Sequence, residues 1–168
     1  MSPLFGRTTS PSVAVAPGER VLAATTAGDG TVLAGTRDAF YVVRDGETRR
    51  VPWEQVEAAT WDRDTDTFRL SEVGSWGEER PEHTATLTDP GRLLELVRER
   101  VTASVVLQRH VTLGRRRGLR VIARRAPSGA GGVQWVYEYD EGVDPDDPEV
   151  RAAASEALEL ARLDVGLP

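Results

Sequence analysis

A single amphipathic stretch, Asp89 to Leu107, lies between two series of short β-like segments, and this contrast does most to narrow the folds open to the chain. Within it Leu94, Val97, Val101 and Val105 recur at steps of three and four, and Leu93, Val106 and Leu107 widen the stripe. That period places an apolar band along one face of a helix and turns Arg92, Glu95, Arg98, Glu99 and Arg100 to water. Asp89 reads as the N-cap and Pro90 as the first helical residue, since proline lacks only an N–H that has no intrahelical partner there. The spacing predicts one helix running to Leu107 and closing the core of a domain.

Before this helix the signals are those of strands. Val21–Thr26, Thr31–Thr36 and Ala39–Val43 are short and rich in Val, Thr and aromatic residues. Asp45-Gly46 marks a hairpin, because glycine accepts the positive φ of a tight turn. Arg49–Val51, Val56–Trp61, Thr67–Val73 and Thr84–Thr88 complete seven strand-like segments, and so long a run without a helix predicts an antiparallel meander rather than β-α-β crossovers. After the helix, Arg109–Leu113, Leu119–Arg125 and Val133–Tyr139 read as three more strands. A second helix begins at Asp144-Pro145-Asp146-Asp147-Pro148, with an Asp cap and a Pro in its first turn. Its apolar stripe is Val150, Ala153, Ala154, Ala157, Leu158, Ala161 and Val165. Residues 1–18, with Pro3, Pro11 and Pro17 among serines and threonines, read as an extended or disordered arm.

The 168 residues suffice for one compact domain with an addition, or two small ones. No run approaches the length of a membrane span, and the N-terminus has no apolar stretch behind a basic start. The absence of cysteine excludes disulfides, thiolate nucleophiles and cysteine zinc sites, and a cytoplasmic location is the expectation. All 21 basic residues are arginine, and the net charge of −6 argues against indiscriminate nucleic-acid binding. The distribution says more than the sum. Arg109 to Arg125 holds seven arginines and no acid, whereas Glu138 to Asp164 holds ten acids against Arg151 and Arg162.

The stretches Thr31-Val-Leu-Ala-Gly-Thr-Arg-Asp-Ala-Phe-Tyr-Val-Val43 and Val51-Pro-Trp-Glu-Gln-Val-Glu-Ala-Ala59, followed by the helix Pro90–Leu107, resemble the bacterial pleckstrin-homology-like (PH-like) domains over about Glu19 to Leu107. The resemblance implies a curved seven-stranded antiparallel sheet or barrel with one end plugged by the helix. It also implies a fold that binds lipids, peptides or proteins and is not generally catalytic. Phosphoinositide-binding members use a basic β1–β2 loop, and here that loop is Ala27-Gly28-Asp29-Gly30-Thr31, with no basic residue.

Few residue patterns carry chemistry. Asp62-x-Asp64-x-Asp66 opens like a calcium loop, but Thr67 stands where glycine is needed and Val73 where a bidentate acid is needed, so a polar hairpin turn is the better reading. His83 and His110 are the only histidines, too few for a multi-histidine metal site, and no nucleophile elbow or phosphate-binding glycine loop is present. Trp76, in a charged loop, is either an anchor for a partner or a lid over the barrel end. Arg115, Arg116 and Arg117 fall at a hairpin tip and could meet phosphate together with Arg120 and Arg124 on the adjoining strand. If Leu119–Arg125 pairs with Val133–Asp140, parity instead puts Arg120 and Arg124 on one face with Gln134, Glu138 and Asp140, and cross-strand charge pairs absorb Arg120.

The sequence thus predicts a mostly-β α+β protein with three parts: the arm at 1–18, a PH-like domain at 19–107, and a β-β-β-α extension at 108–168 packed on it. The expected function is a non-catalytic binding or scaffold module for a protein partner, with no cofactor and no metal. The alternative is an anionic-surface binder, for lipid headgroups or nucleic acid, working through Arg115–Arg117. No residue pattern supports the third possibility, an enzyme. Arg115, Arg116, Arg117 and Trp76 are the candidate binding residues.

Overall fold

The computed structural model describes residues 11–74 and 79–166, and it is mostly β: three antiparallel sheets and two helices. No helix among these residues is long and apolar enough to cross a membrane. The chain divides into two compact units between Val101 and Thr102.

In the first unit β1 (Ala23–Thr26), β2 (Val32–Gly35), β3 (Ala39–Arg44) and β4 (Glu47–Pro52) form a four-stranded sheet in chain order. Asp45 and Gly46 both take positive φ, at 52° and 80°, and make the two-residue turn between β3 and β4. A second sheet contains β5 (Val56–Asp62), β6 (Thr67–Glu72) and β7 (Glu82–Thr86), again in chain order. The seven strands expected as one PH-like barrel are therefore two separate sheets without closure. The reason is local: Pro52 ends β4 without an N–H to donate, and the 3-10 turn Trp53–Gln55 redirects the backbone before β5 begins. Both sheets contribute to one core that includes Leu33, Phe40, Val51, Trp53, Phe68 and Leu70. Trp53 is fully buried, and its indole N–H is satisfied by the Thr36 carbonyl at 3.0 Å.

Helix α1 (Leu93–Ser104) is shorter than its sequence suggests at both ends. Asp89 does not cap it. Its carboxylate accepts from the Gly91 N–H at 3.2 Å, and a turn closed from Leu93 N–H to the Pro90 carbonyl precedes the helix. Leu93 and Val97 are buried in the core, with Leu94 and Val101 packed beside them, so the apolar face runs as far as Val101. At the other end Val105, Val106 and Leu107 leave the helix for a strand. A short apolar run satisfies either period, and pairing of Leu107 with Ala123 decides the matter.

Residues 11–16 form no regular element and lead into a turn at Pro17–Gly18, but they are not a free arm. Val13 and Val15 pack with Ala34, Ala39 and Tyr41 on the four-stranded sheet, where small residues leave room for them. The Ala16 N–H donates to the Tyr41 hydroxyl at 3.0 Å. Residues 1–10 of the expected arm lie outside the described residues.

The second unit is a three-stranded meander of β8 (Val105–Thr112), β9 (Gly118–Arg124) and β10 (Gln134–Tyr139), with β9 in the centre, together with helix α2 (Pro148–Asp164). Its strands thus start three residues earlier than the extension expected from Gln108. Ala154, Ala157 and Ala161 of α2 bury themselves against Leu119 and Val121, and Trp135, Tyr137 and Tyr139 of β10 flank that contact. Asp147 caps α2 by accepting from the Glu149 N–H at 2.8 Å, and Pro148 occupies the first turn.

Candidate functional site

The hairpin between β8 and β9 places the arginine block. Thr112 pairs with Gly118, and the Leu113 N–H reaches the Arg117 carbonyl at 2.8 Å. Within that frame the Arg117 N–H donates to the Gly114 carbonyl at 3.0 Å, which leaves Arg115 and Arg116 as the two central residues of the turn. Both have positive φ, 37° and 67°. Such turns favour Asn-Gly, and a left-handed conformation costs an ordinary residue about 1–2 kcal/mol. Gly118 is fixed by contact rather than by φ, since a β-carbon there would run into the Val111 carbonyl and the His110 ring.

The arginines that flank the tip are used within the fold. Arg120 meets Glu138 at 3.0 Å across the β9–β10 ladder, the pair that strand parity anticipates. Arg109 reaches Asp164 of α2 at 2.8 Å. Arg124, expected beside Arg120 as a surface cation, is only 4% exposed, and its guanidinium donates to Ser104 Oγ at 3.1 Å. Arg115, Arg116 and Arg117 make no ion pair among the described residues. The Arg117 guanidinium lies over Gly142, whose φ of 84° and lack of a side chain make room for it.

An open groove of about 600 Å³ runs beside the tip. Arg115 and Arg117 of the tip line it together with Asp144 and Asp147. Leu113, Val143 and Val150 add apolar surface to the same lining. Asp146 and Glu149 belong to the same chain segment as Asp144 and Asp147. Asp144 and Asp147 are fixed by turns of their own backbone, accepting from the Asp146 and Glu149 N–H groups at 2.9 and 2.8 Å. Among the described residues none of these four acids makes an ion pair. The groove thus carries both signs of charge in one lining, with no ion pair between them.

The remaining candidates separate clearly. Trp76 lies outside the described residues. Asp62 closes the β5–β6 turn by accepting from the Asp64 and Thr65 N–H groups at 2.9 and 3.3 Å. No group of three or more His, Asp or Glu among the described residues is placed to hold a metal ion. His110 lies against Gly118, and His83 Nε2 is 2.8 Å from Glu72. In the β1–β2 loop, Asp29 accepts from the Thr31 N–H at 2.9 Å.

Two buried carboxylates carry polar clusters that no sequence signal announces. Glu72, 6% exposed, holds Arg49 at 2.6 Å through one oxygen and His83 through the other. Burial raises its pKa, but the bonds from Arg49 and His83 outweigh that and leave it below the usual range. Glu19, 5% exposed, takes Arg50 at 3.0 Å together with the hydroxyls of Thr36 and Tyr41. Its pKa is lowered in the same way, burial being outweighed by the bonds from Arg50, Tyr41 and Thr36. With both oxygens engaged, Glu72 ties β4, β6 and β7 together, and Glu19 ties the N-terminal segment to β3 and β4. Searches against protein families, curated proteins and solved structures find no match to this chain.

Proposed function

We propose that this chain is a non-catalytic binding module that recognises a protein partner through the groove between the Arg115–Arg117 tip and the start of α2. The observation that carries this reading is the bipolar lining. Arg115, Arg117, Asp144 and Asp147 line a single opening, and none of them makes an ion pair among the described residues. A membrane surface or a nucleic-acid backbone presents negative charge throughout. Brought up to the arginines, it would also bring phosphates towards the acids of the same opening, a repulsion that ordinary salt screens only beyond about 8–10 Å. A protein can offer a carboxylate to the arginines and a cation to the acids, and such matching fixes orientation and rejects wrong partners. The positive φ of Arg115 and Arg116 supports the same reading, since strain at a tip is retained where the side chains it projects are used.

The first unit is read as PH-like, supported by its order of four strands, three strands and a helix whose Leu93 and Val97 enter the common core. A scaffold of this kind binds without chemistry, which agrees with carboxylates already saturated by arginine and histidine. The cysteine-free composition suits a reducing cytoplasm. The test is a photo-crosslinking residue in place of Val143, on the apolar surface of the groove. Expected are protein adducts in cells that disappear when Arg115 and Arg117 become Ser, or when Asp144 becomes Arg. Adducts only with lipid or nucleic acid would overturn the proposal.

A further inference from the structure

We infer that the outer edge of β10 is a second binding surface, one that takes an extended segment of another protein as a further strand of the sheet. It shares no residue with the groove and does not rest on the reading above. A sheet edge presents a row of backbone N–H and C=O groups at strand spacing, and another strand is the partner that satisfies the whole row. The ladder fixes which groups these are. The Asp140 N–H donates to the Gly118 carbonyl at 3.0 Å, in continuation of the β9–β10 register. Antiparallel bonding alternates along a strand, so Gln134, Val136 and Glu138 bond back to β9. The N–H and C=O groups of Trp135, Tyr137 and Tyr139 point the other way. Among the described residues no backbone group outside the ladder bonds to these three.

The other edge strands of the described sheets each carry a feature that discourages an added strand. β1 is only four residues long, and β4 bears Arg49, Arg50 and Pro52. β5 and β8 each have a register shift, between Val56 and Ala58 and between Val105 and Leu107. On β7 the Thr84 carbonyl accepts from the Arg44 guanidinium at 3.0 Å and the Thr86 carbonyl from the Gly28 N–H at 3.3 Å. β10 has none of these. Its register runs unbroken from Gln134 to Tyr139, it contains no proline, and its single charge, Glu138, is held by Arg120 at 3.0 Å. The side chains say which strand fits. Trp135, Tyr137 and Tyr139 lie on the α2 side of the sheet, where the helix packs mainly on β8 and β9, and all three stay partly exposed. An added strand sets every second side chain against them, and aromatic residues pair well with β-branched or aromatic ones. The partner is therefore an extended, uncharged segment with Val, Ile or an aromatic residue at alternate positions. Main-chain bonds hold it, and the alternate side chains select it.

Amide exchange of the intact chain, read residue by residue by NMR, tests this with a capped, uncharged peptide, Gln-Val-Thr-Val-Thr-Val-Thr-Gln. In the free protein the amides of Trp135, Tyr137 and Tyr139 should exchange fast and those of Val136 and Glu138 slowly. The peptide should protect the three fast amides in a saturable way. The same peptide N-methylated at alternate residues has lost the donors of one edge and should bind about tenfold more weakly or worse. Both peptides are tested on the wild-type chain, so misfolding of a variant cannot imitate the result. A chain with Arg115→Ser and Arg117→Ser should bind the peptide as wild type does, which separates this edge from the groove. No protection up to about 1 mM peptide, the range of the weakest specific contacts, overturns the inference. So does equal binding of the methylated peptide, or loss of binding with the two arginines. Protection of the three amides without peptide overturns it as well, whether a second copy of the chain or another segment of this one supplies it.

Discussion

Arg120 on β9 and Glu138 on β10 stand directly opposite each other and close an ion pair at 3.0 Å. A few residues back along the same hairpin, Arg115 and Arg116 take left-handed backbone and no ion-pair partner among the described residues. One arginine serves the sheet, and its neighbours are held out at the fold's expense.

That division predicts opposite effects of substitution. Glu138→Ala should lower stability by about 0.2–1 kcal/mol, the worth of a cross-strand pair, without affecting the groove. Arg116→Gly should raise stability by about 1 kcal/mol, because glycine relieves the left-handed strain. The same change should weaken partner binding. Urea titrations of the two variants measure both shifts, and destabilisation by Arg116→Gly would remove the strain argument.

The end of α1 is open to a paired substitution. Val97 is 3% exposed in the core, so Val97→Asp buries a carboxylate without a partner and should cost about 3 kcal/mol or more. Val106 is 40% exposed on the second residue of β8, and Val106→Asp should shift stability by no more than about 0.5 kcal/mol. Were the helix to continue to Leu107 with Val106 in its apolar stripe, both changes would be severe. Thermal melting of the pair distinguishes the two.

Acid should unfold the first unit by a defined route. Glu19 and Glu72 both have folded-state pKa values below the ordinary 4.5, burial being outweighed by the bonds each carboxylate accepts. A depressed carboxylate contributes stability in full above its unfolded pKa and loses it as pH falls through the folded one. Stability should therefore hold from neutral pH to about 5 and fall below about 4.5. Melting temperatures of wild type and of Glu19→Gln with Glu72→Gln, measured from pH 7 to pH 3, check this. The variant should start lower and decline less.

How much of this was legible in the sequence depended on whether the signal was local. Asp45-Gly46 marks its turn because two adjacent residues must both take positive φ, and Asp147-Pro148 marks the start of α2 because the cap and the first turn are neighbours. The Arg120–Glu138 pair follows from strand parity once β9 and β10 are aligned. The end of α1 was not legible, since Val105 to Leu107 fits a helical stripe and a strand equally until Ala123 is placed opposite Leu107. Nor was the clamp at Glu19. Thr36, Tyr41 and Arg50 converge on it only because the β2–β3 connection, β3, β4 and the N-terminal segment bring them together. The groove was half legible. The basic and acidic blocks were plain in the chain, but only the packing of α2 on the meander brings Asp144 and Arg115 into one groove.

Whether the acidic segment governs what the groove accepts is tested most directly by titrating the protein with anionic vesicles and with RNA at low salt, about 20 mM, where screening is weakest. Wild type should bind neither. A variant with Asp144→Asn, Asp146→Asn and Glu149→Gln, which keeps the Asp147 cap but removes the other three negative charges of the segment, should bind both, with affinity falling steeply as salt rises. Wild type binding as tightly as this variant, and losing that binding when Arg115, Arg116 and Arg117 become Ser, would show that the arginine tip serves a polyanion and not a protein.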